Sequence, residues 1–168
     1  MEEKINIANK ETTIEYLERI RTHDYVPFDI QITNCHIKDI NELVGRNIFT
    51  KSSLYVSSKT LHDIMQPIGG SDNHNYHGLT PEDVYMTLES IKDPKSVFIV
   101  RYGRYAIVSV ELSHLDLPLM MIVETHAGLQ LNSEANINKI VTIYPKSDID
   151  DYIAKMDKRV LLYTRTQK

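Results

Sequence analysis

The sequence predicts an α+β fold, with helices packed on a four- to five-stranded, mainly antiparallel sheet and a small N-terminal α/β cap. Three observations carry that expectation. Helix-period apolar stripes dominate the stretches before Asp93-Pro94; β-rich runs separated by turn signals follow from Ser96; a helical pattern returns near Ile149. At 168 residues the chain suits one domain with a small appendage and is long enough to bury a core.

Thr12-Thr13-Ile14-Glu15 has capping-box spacing, and Ile14, Leu17 and Ile20 recur on one face of a helix ending near Thr22. Phe28, Ile30 and Ile32 alternate with polar residues, the period of a half-buried strand. Ile37, Ile40, Leu43 and Val44 read as a short helix stopped by Gly45. Residues 1–51 therefore read as the cap and 52–168 as the main domain, with the boundary in Arg46 to Lys51.

The main domain opens with the apolar run Leu54-Tyr55-Val56, then a short helix that Ser57 caps and Pro67 ends. Gly69 to Asn75 is loop by composition. Thr80-Pro81 starts the next helix, since proline at the first helical position lacks only an N–H the helix would not use. Val84, Leu88 and Ile91 form its buried stripe. Strands are expected at Val97 to Arg101 and Tyr105 to Leu112, joined by a tight hairpin, and at Leu119 to Thr125 and Lys139 to Tyr144. Gly128 and Asn132 to Asn136 read as a turn. A helix follows with Ile149, Tyr152, Ile153 and Met156 inward, then an edge strand over Val160 to Thr164.

Composition bounds the function. Hydrophobic content of 42% and charge of 25% are those of an ordinary globular protein. The longest apolar run, Leu117 to Val123, is too short to span a bilayer, and the N-terminus reads as carrying no signal peptide. The single Cys35 excludes an internal disulfide and points to a reducing, intracellular setting. A net charge of −4 argues against a general nucleic-acid coat, whose Lys and Arg would have to displace phosphate counterions. The charge is uneven: residues 155–168 hold five bases and one acid, whereas residues 1–30 hold seven acids and four bases. There is no P-loop, GxGxxG or GxSxG. His74 and His77 do not form HExxH and lack a third ligand, so no metal or other cofactor is expected.

Four segments carry a resemblance. Leu54-Tyr55-Val56-Ser57-Ser58-Lys59 is a strand followed by Ser-x-Lys, and His77-Gly78-Leu79-Thr80 is a His-Gly-Leu helix entry. Ile91 to Phe98 makes a helix, Asp-Pro, strand step, and Val141-Thr142-Ile143-Tyr144 places Thr and Tyr two apart on a late strand. In this order they resemble the phage and mobile-element C-terminal toxin domains of the barnase–colicin–RelE-like endoribonuclease superfamily, often fused to MuF-type phage head proteins. The resemblance covers roughly Ser52 to Lys168. It implies RNA as substrate, a host protein target or cognate immunity protein as partner, and the cytoplasm of the host cell as location. The loop before His77 is long for the family, which leaves its histidine open between His74 and His77.

Metal-free RNA cleavage needs a base for the ribose 2′-hydroxyl, an acid for the leaving 5′-oxygen and donors around the phosphate. Histidine suits the proton transfers, and His77 stands just before a helix N-terminus, where N–H groups favour an anion. A histidine that merely packs at a helix entry is the competing reading. Lys59 sits in a first helical turn, where the dipole disfavours a cation; it is either held for phosphate or a solvated lysine. Thr142 and Tyr144 share a strand face and present hydroxyls to a phosphate, or are ordinary sheet residues. Arg101 and Arg104 flank the hairpin and, with His74, are the candidate substrate-binding residues; a hairpin tip also takes arginines for solubility. Glu111 and Glu124 are alternative bases, while His114 and His126 read as loop residues.

Two functions follow from these residues. One is a metal-independent endoribonuclease of phage or mobile-element origin, with His77, Lys59, Thr142 and Tyr144 as its catalytic set. The other is a non-enzymatic phage protein that binds and inhibits a host protein such as a defence-system component, in keeping with the acidic balance and ten tyrosines.

Overall fold

The computed structural model describes residues 3–23, 26–68, 75–129 and 132–165, with the backbone alone described for 126–129 and 132–136. The chain is α+β. Its first part contains β1 (Glu3–Asn6), α1 (Lys10–Thr22), β2 (Asp29–Thr33), α2 (Ile40–Val44), β3 (Leu54–Ser57) and α3 (Ser58–Ile64). The second contains α4 (Pro81–Glu89), β4 (Ser96–Arg101), β5 (Arg104–Leu112), β6 (Pro118–Leu129), β7 (Asn132–Pro145), α5 (Ile149–Ala154) and β8 (Leu161–Thr164).

The local signals explain most of these elements. Ser57 Oγ accepts the Thr60 amide and caps α3. Thr80 and Asp83 exchange side-chain and backbone hydrogen bonds, a complete capping box, with Pro81 at the first turn of α4. Gly45 ends α2 at φ 68°, a backbone state that costs a residue without Cβ little. The first helix starts earlier than its sequence signal suggested: Asn9 is the cap, accepting the Thr12 amide, and Thr13 is buried.

The sheet departs from the expected four to five strands. Eight strands form one mixed sheet in the order β1-β2-β3-β7-β6-β5-β4-β8. Five neighbouring pairs are antiparallel, and β1 with β2 and β3 with β7 are parallel. Period-two alternation identifies a strand but not the sheet it joins. Here β2 pairs with β3, and β3 lies beside β7 through Tyr55↔Lys139, so strands from residues 1–51 continue the sheet of the later chain. The β6–β7 hairpin is also longer than its apolar cores: Asn132 to Asn136, expected as a turn, lies within β7, and Leu129 pairs with Asn132.

The two faces of the sheet are covered unequally. One carries Ile30, Ile32, Leu54, Val56, Ile107, Met121, Val123 and Ile143 against Leu17 and Ile20 of α1, Leu61 and Ile64 of α3, and Val84 and Leu88 of α4. On the other, Ile149 and Ile153 of α5 pack on Phe98, Ala106, Val108, Met120 and Ile122, covering the β4–β6 half. Tyr152, expected inward, is 45% exposed at the margin of that second layer.

Candidate functional site

β3 ends at Ser57 and turns directly into α3, whereas β7 runs on to Pro145. α3 therefore lies against β7 beyond the short β3–β7 ladder. The chain after the loop is tied to the end of α3: Gly78 N–H donates to Gln66 O at 2.8 Å and Leu79 N–H to Ile64 O at 3.0 Å. Gly78 has φ 66°, the left-handed state that turns the chain into α4. These constraints bring His77 alongside β7.

His77 Nε2 lies 3.4 Å from Thr142 Oγ1, a long contact, and the His77 and Tyr144 rings are 5.7 Å apart at 39°. Thr142 and Tyr144 face the same way because they are two apart on β7. All three side chains are partly exposed. Burial pushes the His77 imidazole below its ordinary range, favouring the neutral form that can accept a proton. Burial raises Tyr144, which keeps its phenol a donor. The result is a proton acceptor and two hydroxyls on one partly open surface.

Lys59 is paired within its own helix. Its ammonium, 62% exposed, binds Asp63 Oδ2 at 2.7 Å, and that bond raises its pKa. Asp63 is buried and also meets His62 Nδ1 at 3.1 Å. Lys59 makes no hydrogen bond to His77, Thr142 or Tyr144. His77 thus meets both Thr142 and Tyr144, and Lys59, the fourth expected catalytic residue, is engaged on α3.

Arg101 and Arg104 face each other across the β4–β5 hairpin. Arg104 Nε donates to Glu124 Oε1 at 3.0 Å, so Glu124 is an ion-pair partner. Neither arginine hydrogen-bonds the histidine cluster. His74 lies outside the described residues. Thr125-His126 does not end its strand, because β6 continues to Leu129.

Two features escaped the sequence reading. Lys146 follows Tyr144 by two residues, and its ammonium lies 4.6 Å from the Tyr152 ring centre and 3.3 Å from Asp148 Oδ1. Lys146 is close enough to Tyr144 for its charge to oppose, without overcoming, the upward push of burial on the phenol. The 142, 144, 146 alternation was the available signal. The second feature is a cleft of about 900 Å³ between α4 and the far end of β5, lined by Glu82, Glu89, Asp93, Glu111 and His114 among others. There the buried carboxylate of Asp83 accepts both the His114 backbone N–H, at 3.0 Å, and its Nδ1–H. No sequence spacing announces this pair, which joins a helix start to a distant hairpin. The cleft does not include His77, Thr142 or Tyr144.

Among the described residues, no group of three or more His, Cys, Asp or Glu side chains could hold a metal ion, and no helix is long and apolar enough to cross a membrane. No protein-family model, curated protein or solved structure gives a significant match to this chain.

Proposed function

We propose that the chain is a metal-independent endoribonuclease of the phage and mobile-element toxin type, working at the His77, Thr142 and Tyr144 cluster. The observation that carries the reading is the meeting of an imidazole with two hydroxyls from a strand more than sixty residues further along. His77 Nε2 takes the proton of the ribose 2′-hydroxyl as O2′ bonds to phosphorus and the bond from phosphorus to O5′ breaks. Thr142 donates to a non-bridging oxygen, and the Tyr144 phenol, kept protonated by burial, donates to the departing O5′. The imidazolium then restores the phenol proton through solvent. Lys146, beside Tyr144, and Lys59, on the helix lying against β7, are the cations a phosphodiester would recruit.

The test is cleavage of single-stranded RNA in EDTA, with the ends identified. The reading expects a 2′,3′-cyclic phosphate product, made by wild type and lost in His77→Ala with the fold retained. Cleavage undiminished in that variant would overturn it.

A second reading, a phage protein that binds a host protein, is favoured by the acidic cleft, where Val110 and Leu112 are 42% and 53% exposed beside the acids. It expects a stoichiometric complex lost on Leu112→Glu, and no RNA cleavage.

A further inference from the structure

The register of the sheet aligns seven side chains in one transverse row. Lys4 is opposite Gln31, Gln31 opposite Tyr55, and Tyr55 opposite Lys139. Lys139 is opposite Glu124, and Glu124 opposite Arg104. Arg101 follows, opposite Arg104, on the next strand. At about 4.8 Å per strand the row from β1 to β4 spans roughly 29 Å.

The row lies on the face away from α1, α3 and α4. On each strand from β1 to β6 its member alternates with a residue buried under those helices: Ile5, Ile30 and Ile32, Leu54 and Val56, Ile140, and Val123. On β5 the neighbouring Tyr105 packs against that same core. Two ion pairs run along the row, Arg104 to Glu124 at 3.0 Å and Lys139 to Asp29 at 3.3 Å. Lys4 and Arg101 are exposed, and the other members are half-buried. α5 covers the neighbouring positions Ala106, Met120 and Ile122, not this row. The row is also close to the cluster: next along β7 on this face, past a bulge, come Thr142 and Tyr144.

Charge is segregated accordingly. The row and its partners hold Lys4, Arg101, Arg104 and Lys139 against Asp29 and Glu124, in a chain whose net charge is −4. Much of the compensating acid lines the α4 cleft, as Glu82, Asp83, Glu89, Asp93 and Glu111. A sheet face with spaced cations and a tyrosine between them suits a single-stranded polyanion, which can follow the twist of the strands while its phosphates meet the cations and a base stacks on the ring. An unpaired strand can present a base to the ring, whereas a duplex keeps its bases stacked inside.

We infer that this row is a track for single-stranded RNA, delivering a phosphodiester to the adjacent His77 cluster. The inference rests on the ribonuclease reading for its substrate, but its test separates the two. The probe is a fluorescent 2′-O-methyl RNA of about a dozen nucleotides, which cannot be cleaved through the 2′-oxygen, with binding followed by anisotropy across a salt series. The variant Lys4→Gln/Arg101→Gln/Arg104→Gln is expected to bind at least ~10-fold more weakly and to lower the salt slope by about 2, at roughly 0.7 per lost phosphate contact. Tyr55→Leu is expected to weaken binding roughly 5-fold or more, with the slope unchanged, because stacking releases no counterions. Lys4→Gln alone, at an exposed edge position, keeps the test valid if the triple variant fails to fold. Lys158→Gln, an exposed cation outside the row, controls for net charge.

Row variants that fold and bind like wild type would overturn the inference. So would a wild-type protein that binds poly-glutamate and ignores the RNA, since the face would then serve an acidic protein segment. RNA binding through the row without cleavage of unmodified RNA would leave the track standing and remove the ribonuclease reading. Cleavage with KM unchanged in the triple variant would do the reverse.

Discussion

His77 and Thr142, separated by 65 residues in the chain, meet at 3.4 Å where β7 outruns β3. If this contact marks the reacting centre, its members should separate by role. His77→Ala should lower single-turnover RNA cleavage by about 10²- to 10⁴-fold, the usual worth of a positioned acid–base group. Thr142→Val and Tyr144→Phe should each cost less, about 10-fold, because each removes one donor and leaves the base in place. Urea unfolding should move by no more than about 1 kcal/mol for His77→Ala, since the side chain is partly exposed.

Burial holds His77 below the ordinary imidazole pKa of about 6.5. The acid limb of a cleavage profile should therefore have its midpoint below that value. Stability follows the same displacement. The unfolded chain protonates His77 first as pH falls, so it binds more protons than the native chain in the window from about 6.5 down to the lowered native value. Wild type compared with His77→Gln should show a constant stability difference above about pH 7.5, and should lose ground through that window. A difference that stays flat to pH 5 would place the imidazole in solvent.

Asp83 is buried and accepts from Thr80 N–H, His114 N–H and His114 Nδ1–H. Asp83→Ala breaks the reciprocal half of the capping box and strands donors at once, and should cost about 2–4 kcal/mol in chemical denaturation. His114→Ala leaves both backbone bonds to Asp83 intact and should cost about 1 kcal/mol. Neither residue touches the His77 cluster, so the folded fraction of each variant should cleave RNA at the wild-type rate per molecule. A kcat that falls in His114→Ala at unchanged stability would move the chemistry to the α4 cleft.

Lys59→Gln separates two roles of one cation. Lys59 is exposed, and its buried partner Asp63 keeps its contact with His62, so stability should change by about 1 kcal/mol. A drop in cleavage with that small stability cost identifies a phosphate contact; an unchanged rate identifies a helix-surface ion pair.

Elements defined by neighbours in sequence were legible. Ser57, Thr80-Pro81 and Gly45 fix helix ends through bonds a few residues long, and strands such as β4 and β5 declare themselves by residue type. What the sequence hid depends on distant partners. The Glu3–Asn6 strand is four residues long and gains its identity only from pairing with β2. Asp83 with His114, and Lys146 with Tyr152, are matters of packing that no spacing encodes. The Thr142 and Tyr144 pairing was readable from period two, whereas the fate of Lys59 was not, because Asp63 one turn away could bind it or point elsewhere.

Residues 1–51 share a core with the later chain and should fold with it as one unit. The amide of Asn138 in β7 is buried and donates to Lys51 O at 2.8 Å and Ser53 O at 3.0 Å, fastening the chain where the cap would end. Ile5, Ile7, Leu17, Ile20, Ile30 and Ile32 lie in one apolar cluster with Leu54, Val56, Val84 and Ile143. Removing 1–51 would uncover that cluster and free the β3 edge for aggregation. At about 1.5–3 kcal/mol for each large apolar side chain, the loss exceeds the net stability of an ordinary domain. A 52–168 fragment should therefore be insoluble or lack a cooperative transition, and the full chain should unfold in one step by circular dichroism and tyrosine fluorescence alike. A 52–168 fragment that melts cooperatively by itself would establish two domains and refute the shared core as an obligate unit.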